Sequence, residues 1–306
     1  MIRYILKRLA MGVITLFFLI TITFFLTRIM PGSPFDTANI SPTMLETLER
    51  NYGLDKPLDQ QYVKYLSDIF HGDLGLSYKK PGLTVNQIIA RGFPITLRLG
   101  AGAFILALII GIIVGICMSV TGSEINRGML LTLSTLGVSI PNFVLAILLM
   151  MIFGVSLKWL PTLGLTTPKH YILPVVSLAV YPIAEISRLV HSSYTEEMNQ
   201  DYVLMAREKG LSVFQIRFKH ILKNALLPVI TVSGPLFAFL ITGSFVVESI
   251  FTIPGIGKEF VNSINNRDYT VIMGLTIFVG AIVIAANLLS DIVCVLVDPR
   301  IRLDKK

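Results

Sequence analysis

Long apolar runs alternate along this chain with shorter polar connections. They occupy residues 9–26, 99–120, 129–153, 172–190, 228–247 and 271–297. Runs of this kind match the roughly 30 Å hydrocarbon core of a bilayer, which a helix crosses in about 20 residues. The pattern predicts an all-α integral membrane protein with about six transmembrane helices. The fourth run is the least regular, because Glu185 and Arg188 interrupt it. Six crossings return both termini to one side.

Arg3, Lys7 and Arg8 precede the first run, and Thr27, Arg28 and Met30 follow it. A signal peptide would carry a shorter apolar stretch and then a small-residue cleavage site. The expectation is a retained first helix within residues 1–30. Residues 31–93 change character, with charges of both signs and turn signals at Pro31-Gly32, Gly53, Gly72 and Pro81-Gly82. Ser41-Pro42 reads as a helix start and Gly53 as its stop. A second helix is predicted over 58–70, where Leu58, Tyr62, Tyr65, Leu66 and Ile69 recur at helical spacing. This segment is expected to form a small helical cap outside the membrane. Residues 94–306 then form the core bundle of about five spans, with a polar connection at 191–226.

Composition sharpens this reading. Apolar residues make up 53% of the 306 and charged ones only 15%, against roughly a quarter charged in soluble domains. Mean hydropathy is +0.72. The net charge of +7 needs no nucleic-acid partner, because basic residues gather on the cytoplasmic side of membrane proteins. Fourteen Lys and Arg fall in the segments on the side of the termini, against four in the short loops opposite. Both termini are therefore expected in the cytoplasm. Cys117 and Cys294 lie within apolar runs and read as small buried hydrophobes without a disulfide.

Several chemistries are excluded. Gly257-Lys258 is followed by Glu259, and Thr252 stands where a phosphate-binding loop needs its first glycine. The four histidines are scattered without metal-ligand spacing, and no Gly-x-Ser-x-Gly elbow occurs. No catalytic residue, metal site or cofactor is expected in this chain.

The most informative polar stretch is the connection between the fourth and fifth spans. Asp201 to Leu211 is helix-forming and stops at Gly210; a basic stretch with Arg217, Lys219 and His220 follows. It is too polar for the hydrocarbon core. It suits either docking to a separate protein or lying among lipid headgroups.

Charged and polar residues within spans are functional candidates, since burial of a charge in a bilayer is unfavourable. Glu185 and Arg188 share a helix face, and Asp291 lies toward the cytoplasmic end of the last span. These three either line a water-filled path or serve packing and snorkelling. Pro141-Asn142 predicts a kink in the third span with a polar side chain inside the bundle. Gly111 and Gly115 predict close helix packing.

The run Ala206-Arg207-Glu208-Lys209-Gly210-Leu211, with His220-Ile221-Leu222-Lys223-Asn224 beyond it, resembles the EAA loop of ABC-importer permeases of the peptide and nickel uptake family. Leu204 and Met205 stand where the general motif has Glu and its first Ala, and Lys223 where many relatives have Pro. Three further stretches resemble that family. They are the start through Met30-Pro31-Gly32-Ser33-Pro34-Phe35, the run Asn51-Tyr52-Gly53-Leu54-Asp55-Lys56-Pro57-Leu58 with Gly72-Asp73-Leu74-Gly75, and Gly243 to Phe251 with Pro254-Gly255-Ile256-Gly257 and Arg267-Asp268-Tyr269. The ending Asp298-Pro299-Arg300-Ile301-Arg302 is also similar. The likeness is greatest to the first membrane subunit of oligopeptide permeases.

That resemblance implies the cytoplasmic membrane of a prokaryote and a transport role without catalysis. It implies a second homologous permease, two ABC ATPase subunits holding ATP and Mg, and an extracytoplasmic peptide-binding protein. Residues 206–211 would then couple to the ATPase. Glu248, Pro254, Gly255 and Gly257 join Asn142, Glu185, Arg188 and Asp291 as candidate gate or pathway residues, although a structural hairpin explains the 254–257 turn equally well. Dipeptides, nickel or glutathione are alternative substrates. An ion-driven secondary transporter and a non-transporting scaffold are the rival classes.

Overall fold

The computed structural model describes residues 2–29, 34–35 and 42–297. The motif residues Met30 to Ser33, the helix-start residue Ser41 and the closing segment 298–306 lie outside the described residues.

The described chain is helical apart from turns and one isolated bridge between Leu76 and Thr84. α1 (Ile2–Ile29) is the first span. α2 (Pro42–Asn51) and α3 (Leu58–Phe70) form the cap, and Gly53 at φ +67° provides the turn between them. α4 (Val85–Val120) is longer than its apolar run predicts. The Thr84 hydroxyl accepts from the Gln87 amide while the Gln87 side chain accepts from the Thr84 amide. This capping box starts the helix within the stretch read as cap. At 1.5 Å per residue, its 36 residues extend about 54 Å, well beyond the hydrocarbon.

The third span departs from expectation. α5 (Glu124–Ser139) and α6 (Asn142–Leu149), the latter continuing as a π-helix through Met150–Ser156, meet at 102°. The kink expected at Pro141-Asn142 is a full break. Proline disfavours helical geometry in the residue before it, and Ile140 is extended at φ −90°, ψ 121°. With 16 residues, α5 reaches about 24 Å, short of a full crossing.

A 3₁₀ turn (Pro168–Tyr171) leads into α7 (Ile172–Met198). The polar connection holds α8 (Asp201–Glu208) and α9 (Val213–Gln215), then a π-helical stretch (Ile216–Ile221) and α10 (Leu222–Ala225). α11 (Leu227–Ile250), α12 (Ile256–Asn266) and α13 (Tyr269–Val297) complete the chain. Five helices are long and apolar enough to cross a membrane, or six if the broken pair counts as one span. The end of the bundle carrying α8 to α10 is termed the basic end, and the opposite one the cap end.

The most extensive pairing is α4 against α7. A Cβ added to Gly111 would lie 2.8 Å from Ile186 Cβ, and one on Gly115 would lie 2.6 Å from Val190 Cβ. The two glycines let the helices approach, as their spacing predicts. The main core joins Leu99 and Ala103 of α4, Leu178 and Ala179 of α7, and Leu240 and Val247 of α11. α1 packs chiefly on α13, away from α5 and α6. Both cysteines are free. Cys117 is exposed, where burial was expected, because it lies on the side of α4 turned away from its neighbours.

Candidate functional site

At the basic end, the connection after α7 folds into a compact hairpin. α8 places Val203 and Ala206 inward, three apart, against Tyr194, Ile216, Ile221 and Ala225, with Leu211 packed beside them. Gly210 sits at φ +73° and reverses the chain, a left-handed conformation that a side chain disfavours by about 1–2 kcal/mol. The Ser212 hydroxyl then caps α9, accepting from the Gln215 amide at 3.3 Å.

One carboxylate ties the hairpin to its supports. Glu197, near the end of α7, accepts from the Tyr202 hydroxyl at 2.6 Å and from the Asn224 side chain at 3.4 Å. Burial, reinforced by the bond to Glu197, pushes the Tyr202 hydroxyl up to about 12. The hairpin's outer surface is different in kind. Arg207, Glu208, Lys209 and Gly210 are exposed, and so are Leu204, Met205, Val213, Phe214 and Phe218. The Phe214 and Phe218 rings lie 4.5 Å apart. Clustered exposed apolar groups rimmed by charges mark an interaction surface.

A groove forms beside the break between α5 and α6. A cavity of about 330 Å³ there is lined by Asn142 and Phe143 of α6, Tyr181 of α7, and Phe239 and Val246 of α11. The Tyr181 and Phe239 rings stand 5.4 Å apart across it. Glu185 lies one turn from Tyr181 on the same helix face, and Arg188 one turn further. The Arg188 guanidinium donates to Glu185 at 3.2 Å, and each side chain is a little over one-third exposed. The groove itself combines an aromatic pair and an amide, and the Glu185–Arg188 ion pair lies along the helix from it.

Glu248, Pro254, Gly255 and Gly257 belong to a different device at the cap end. Glu248 is fully buried. Its carboxylate accepts from the Ser244 hydroxyl at 2.8 Å and from the amides of Gly257 at 2.8 Å and Lys258 at 3.2 Å. These amides open α12, where the helix dipole favours a negative charge. Ile256 N donates to Thr96 Oγ1 of α4 at 3.0 Å. Asp268, at the other end of α12, accepts from the Ser77 hydroxyl and the Tyr78 amide of the cap. Lys80 pairs with Glu259. α12 is thereby pinned to α11, α4 and the cap at once.

The family model described as "binding-protein-dependent transport system inner membrane component" matches residues 89–303, and the N-terminal model for such membrane components matches residues 1–100. The chain belongs to this family. It is a multi-pass permease of the cytoplasmic membrane. It is 46% identical to the dipeptide transport system permease protein DppB of Bacillus subtilis, with 100% of each chain covered. It is 42% identical to the oligopeptide transport system permease protein OppB of Salmonella typhimurium, over 99% of this chain and 100% of that one. Its fold is similar to a chain of the MetNI methionine ABC transporter in inward-facing conformations, with a TM-score of 0.58 at 20% identity, over 69% of this chain and 96% of that chain.

In this permease the expected site residues separate into four places. Asn142 lines the groove and Glu185 and Arg188 follow on the face of Tyr181, whereas Glu248 and the 254–257 turn form the buried clasp. Residues 206–211 lie in the hairpin, with Ala206 buried within it. Asp291 is not with the groove: it pairs with Arg8 of α1 at 3.2 Å, at the basic ends of α1 and α13. Sequence reasoning missed Tyr181, Phe239, Glu197, Tyr202 and the Phe214–Phe218 pair. The last was detectable, since two aromatics one turn apart in a basic stretch form an exposed stripe.

Proposed function

We propose that this permease forms one membrane half of an ATP-driven importer that carries oligopeptides into the cell. A second homologous permease completes the pore along the groove of Asn142, Tyr181 and Phe239. An extracytoplasmic binding protein delivers peptide at the cap end, and two ATPase subunits holding ATP and Mg dock at the basic end. The observation that carries this reading is the hairpin. It presents Leu204, Met205, Phe214 and Phe218 outward while its inner face is fastened to α7 and α10. Force on such a surface is transmitted to the spans as a rigid tilt, the differential stabilisation of two states that coupling requires. Oligopeptide permeases among its relatives support the substrate class. The higher identity to a dipeptide permease supports dipeptides as a second reading.

The deciding experiment is crosslinking from Met205→Cys to co-expressed ATPase subunits. Efficient crosslinks are expected, together with loss of transport-coupled hydrolysis in G210V, where a β-branched residue is forced into the left-handed region. Unchanged peptide uptake by G210V would remove the coupling role. Competition of labelled oligopeptide uptake by dipeptides separates the two substrate readings.

A further inference from the structure

The last turns of α1 do not end in open solvent, because α3 lies across them. The Thr21 and Tyr62 hydroxyls are 2.7 Å apart, and the Phe24 ring stacks on Tyr65 at 5.5 Å and meets Tyr62 at 5.2 Å. α3 is thereby held at the depth where a spanning helix leaves the hydrocarbon. Its surface suits that depth: Val63 and Phe70 are exposed, Phe70 by 88%, and so are Ile22, Phe25, Leu26 and Ile29 of α1. Exposed apolar groups interleaved with tyrosines characterise the bilayer interface.

Behind α3, a cavity of about 320 Å³ opens between α1, the cap and the outer end of α13. Among the described residues, five buried side-chain polar atoms lack a hydrogen-bond partner, and three of them, Arg28 Nε, Gln61 Oε1 and the Tyr65 hydroxyl, belong to residues of this one cavity's wall. Buried polar groups are ordinarily satisfied, so their convergence on one cavity describes the complement of a ligand.

The chemistry of that complement is specific. Arg50 and Lys64 on the same wall are neutralised by Glu46 and Asp68. Arg28 lies over the Phe24 ring at 5.1 Å, and neither it nor Lys56 forms an ion pair among the described residues. The Gln61 amide is fixed in orientation, because Nε2 donates to the carbonyls of Leu54 and Lys56 at 3.2 and 2.7 Å. Oε1 is left as an acceptor. Burial raises the Tyr65 hydroxyl above its ordinary value, so that it stays protonated and donates. The cavity offers the cations of Arg28 and Lys56, the Asp73 carboxylate, whose Oδ1 already accepts from the Gly75 amide at 2.9 Å, two donors and one acceptor.

We propose that this cavity binds the headgroup of an anionic phospholipid of the outer leaflet, with its phosphate on Arg28, Lys56 and Tyr65 and a headgroup hydroxyl donated to Gln61. Phosphatidylglycerol has both groups. Its acyl chains would descend along the apolar flank of α1 through Ile22, Phe25 and Leu26. Free phosphate would satisfy the donors, yet it would make no use of that flank.

The test uses the full-length permease, purified with the subunits that accompany it and placed in phosphatidylcholine nanodiscs containing a minor fraction of phosphatidylglycerol. Native mass spectrometry then counts the retained lipid. Wild type is expected to enrich phosphatidylglycerol over phosphatidylcholine. Arg28→Gln and Tyr65→Phe should each lower that enrichment, by about tenfold for the charge-assisted contact and less for the hydroxyl. Tyr65→Phe removes one oxygen, so its thermal midpoint and lipid count decide the matter if Arg28→Gln fails to fold. Equal retention of the two lipids by wild type, or unchanged enrichment in Tyr65→Phe, overturns the proposal. Displacement of the lipid by millimolar inorganic phosphate also overturns it, reassigning the site to a free anion.

Discussion

The clasp at the cap end and the hairpin at the basic end are both reversals between long helices, but they are fastened by opposite means. Around α12, Glu248 gathers a hydroxyl and two amides, and Asp268 likewise gathers a hydroxyl and two amides from the cap. Both carboxylates are buried. The hairpin instead closes over a small apolar core and uses a single carboxylate, Glu197, at its root. Its apolar side chains are divided between that core and an exposed outer face. The contrast separates a region whose polar groups are met inside the fold from one that leaves apolar groups exposed, as the docking proposed above requires.

The largest expected effect comes from breaking the clasp. Glu248→Ala leaves buried donors on Gly257, Lys258 and Ser244 unmet, which should destabilise the permease by about 3 kcal/mol or more. A fall in the thermal midpoint of the detergent-solubilised protein measures this. Glu248→Gln, which can still accept one amide bond, should recover part of the loss. Equal midpoints for wild type and Glu248→Ala would show the clasp to be dispensable.

Cutting the root of the hairpin should matter less. Tyr202→Phe removes one hydroxyl bond to Glu197 and should destabilise by about 1 kcal/mol. The same bond gives an alkaline signature. Because the folded hydroxyl is pushed up to about 12 from the ordinary 10, its contribution is complete below pH 10 and disappears as pH rises through 12. Tyrosinate absorbance should show a late-titrating group in wild type that is missing in Tyr202→Phe.

The smallest stability effect belongs to the hairpin's outer face. Leu204→Ala and Phe214→Ala remove exposed groups and should change stability by no more than about 0.5 kcal/mol. They should nevertheless reduce recovery of ATPase subunits with the permease. A destabilisation as large as that of Glu248→Ala would erase the distinction between the two regions.

Much of this architecture was legible in the residues. The apolar runs located the five long spanning helices and the region of the broken pair, and Gly111 with Gly115 announced the close approach of α4 and α7. The break at Pro141 was foreshadowed by proline chemistry, but its 102° angle depends on how α6 packs across α7 and α11. The early start of α4 carried a readable signal in Thr84 and Gln87, hidden by the polar composition around it. Glu248 became a candidate only through the family resemblance of Gly243 to Phe251, just beyond the fifth apolar run. That it serves the 254–257 turn required knowing that α12 folds back on α11. The pairing of Asp291 with Arg8 was beyond reach, because it joins opposite ends of the chain through the α1–α13 packing. Position along the hairpin was clear from its polarity, whereas the division between inward Ala206 and outward Met205 follows only once the hairpin's core is known.

The length of α4 bears on leakage. Its start is capped beside the outer turn, its middle is joined to α12 through Thr96, and its remainder is pressed onto α7, whose far end carries the hairpin. Inner and outer doors therefore hang on one axle. Opening both together would require bending that axle or tearing it from α7, so in the importer proposed above the same stiffness would carry a push from the hairpin and keep both ends from parting at once.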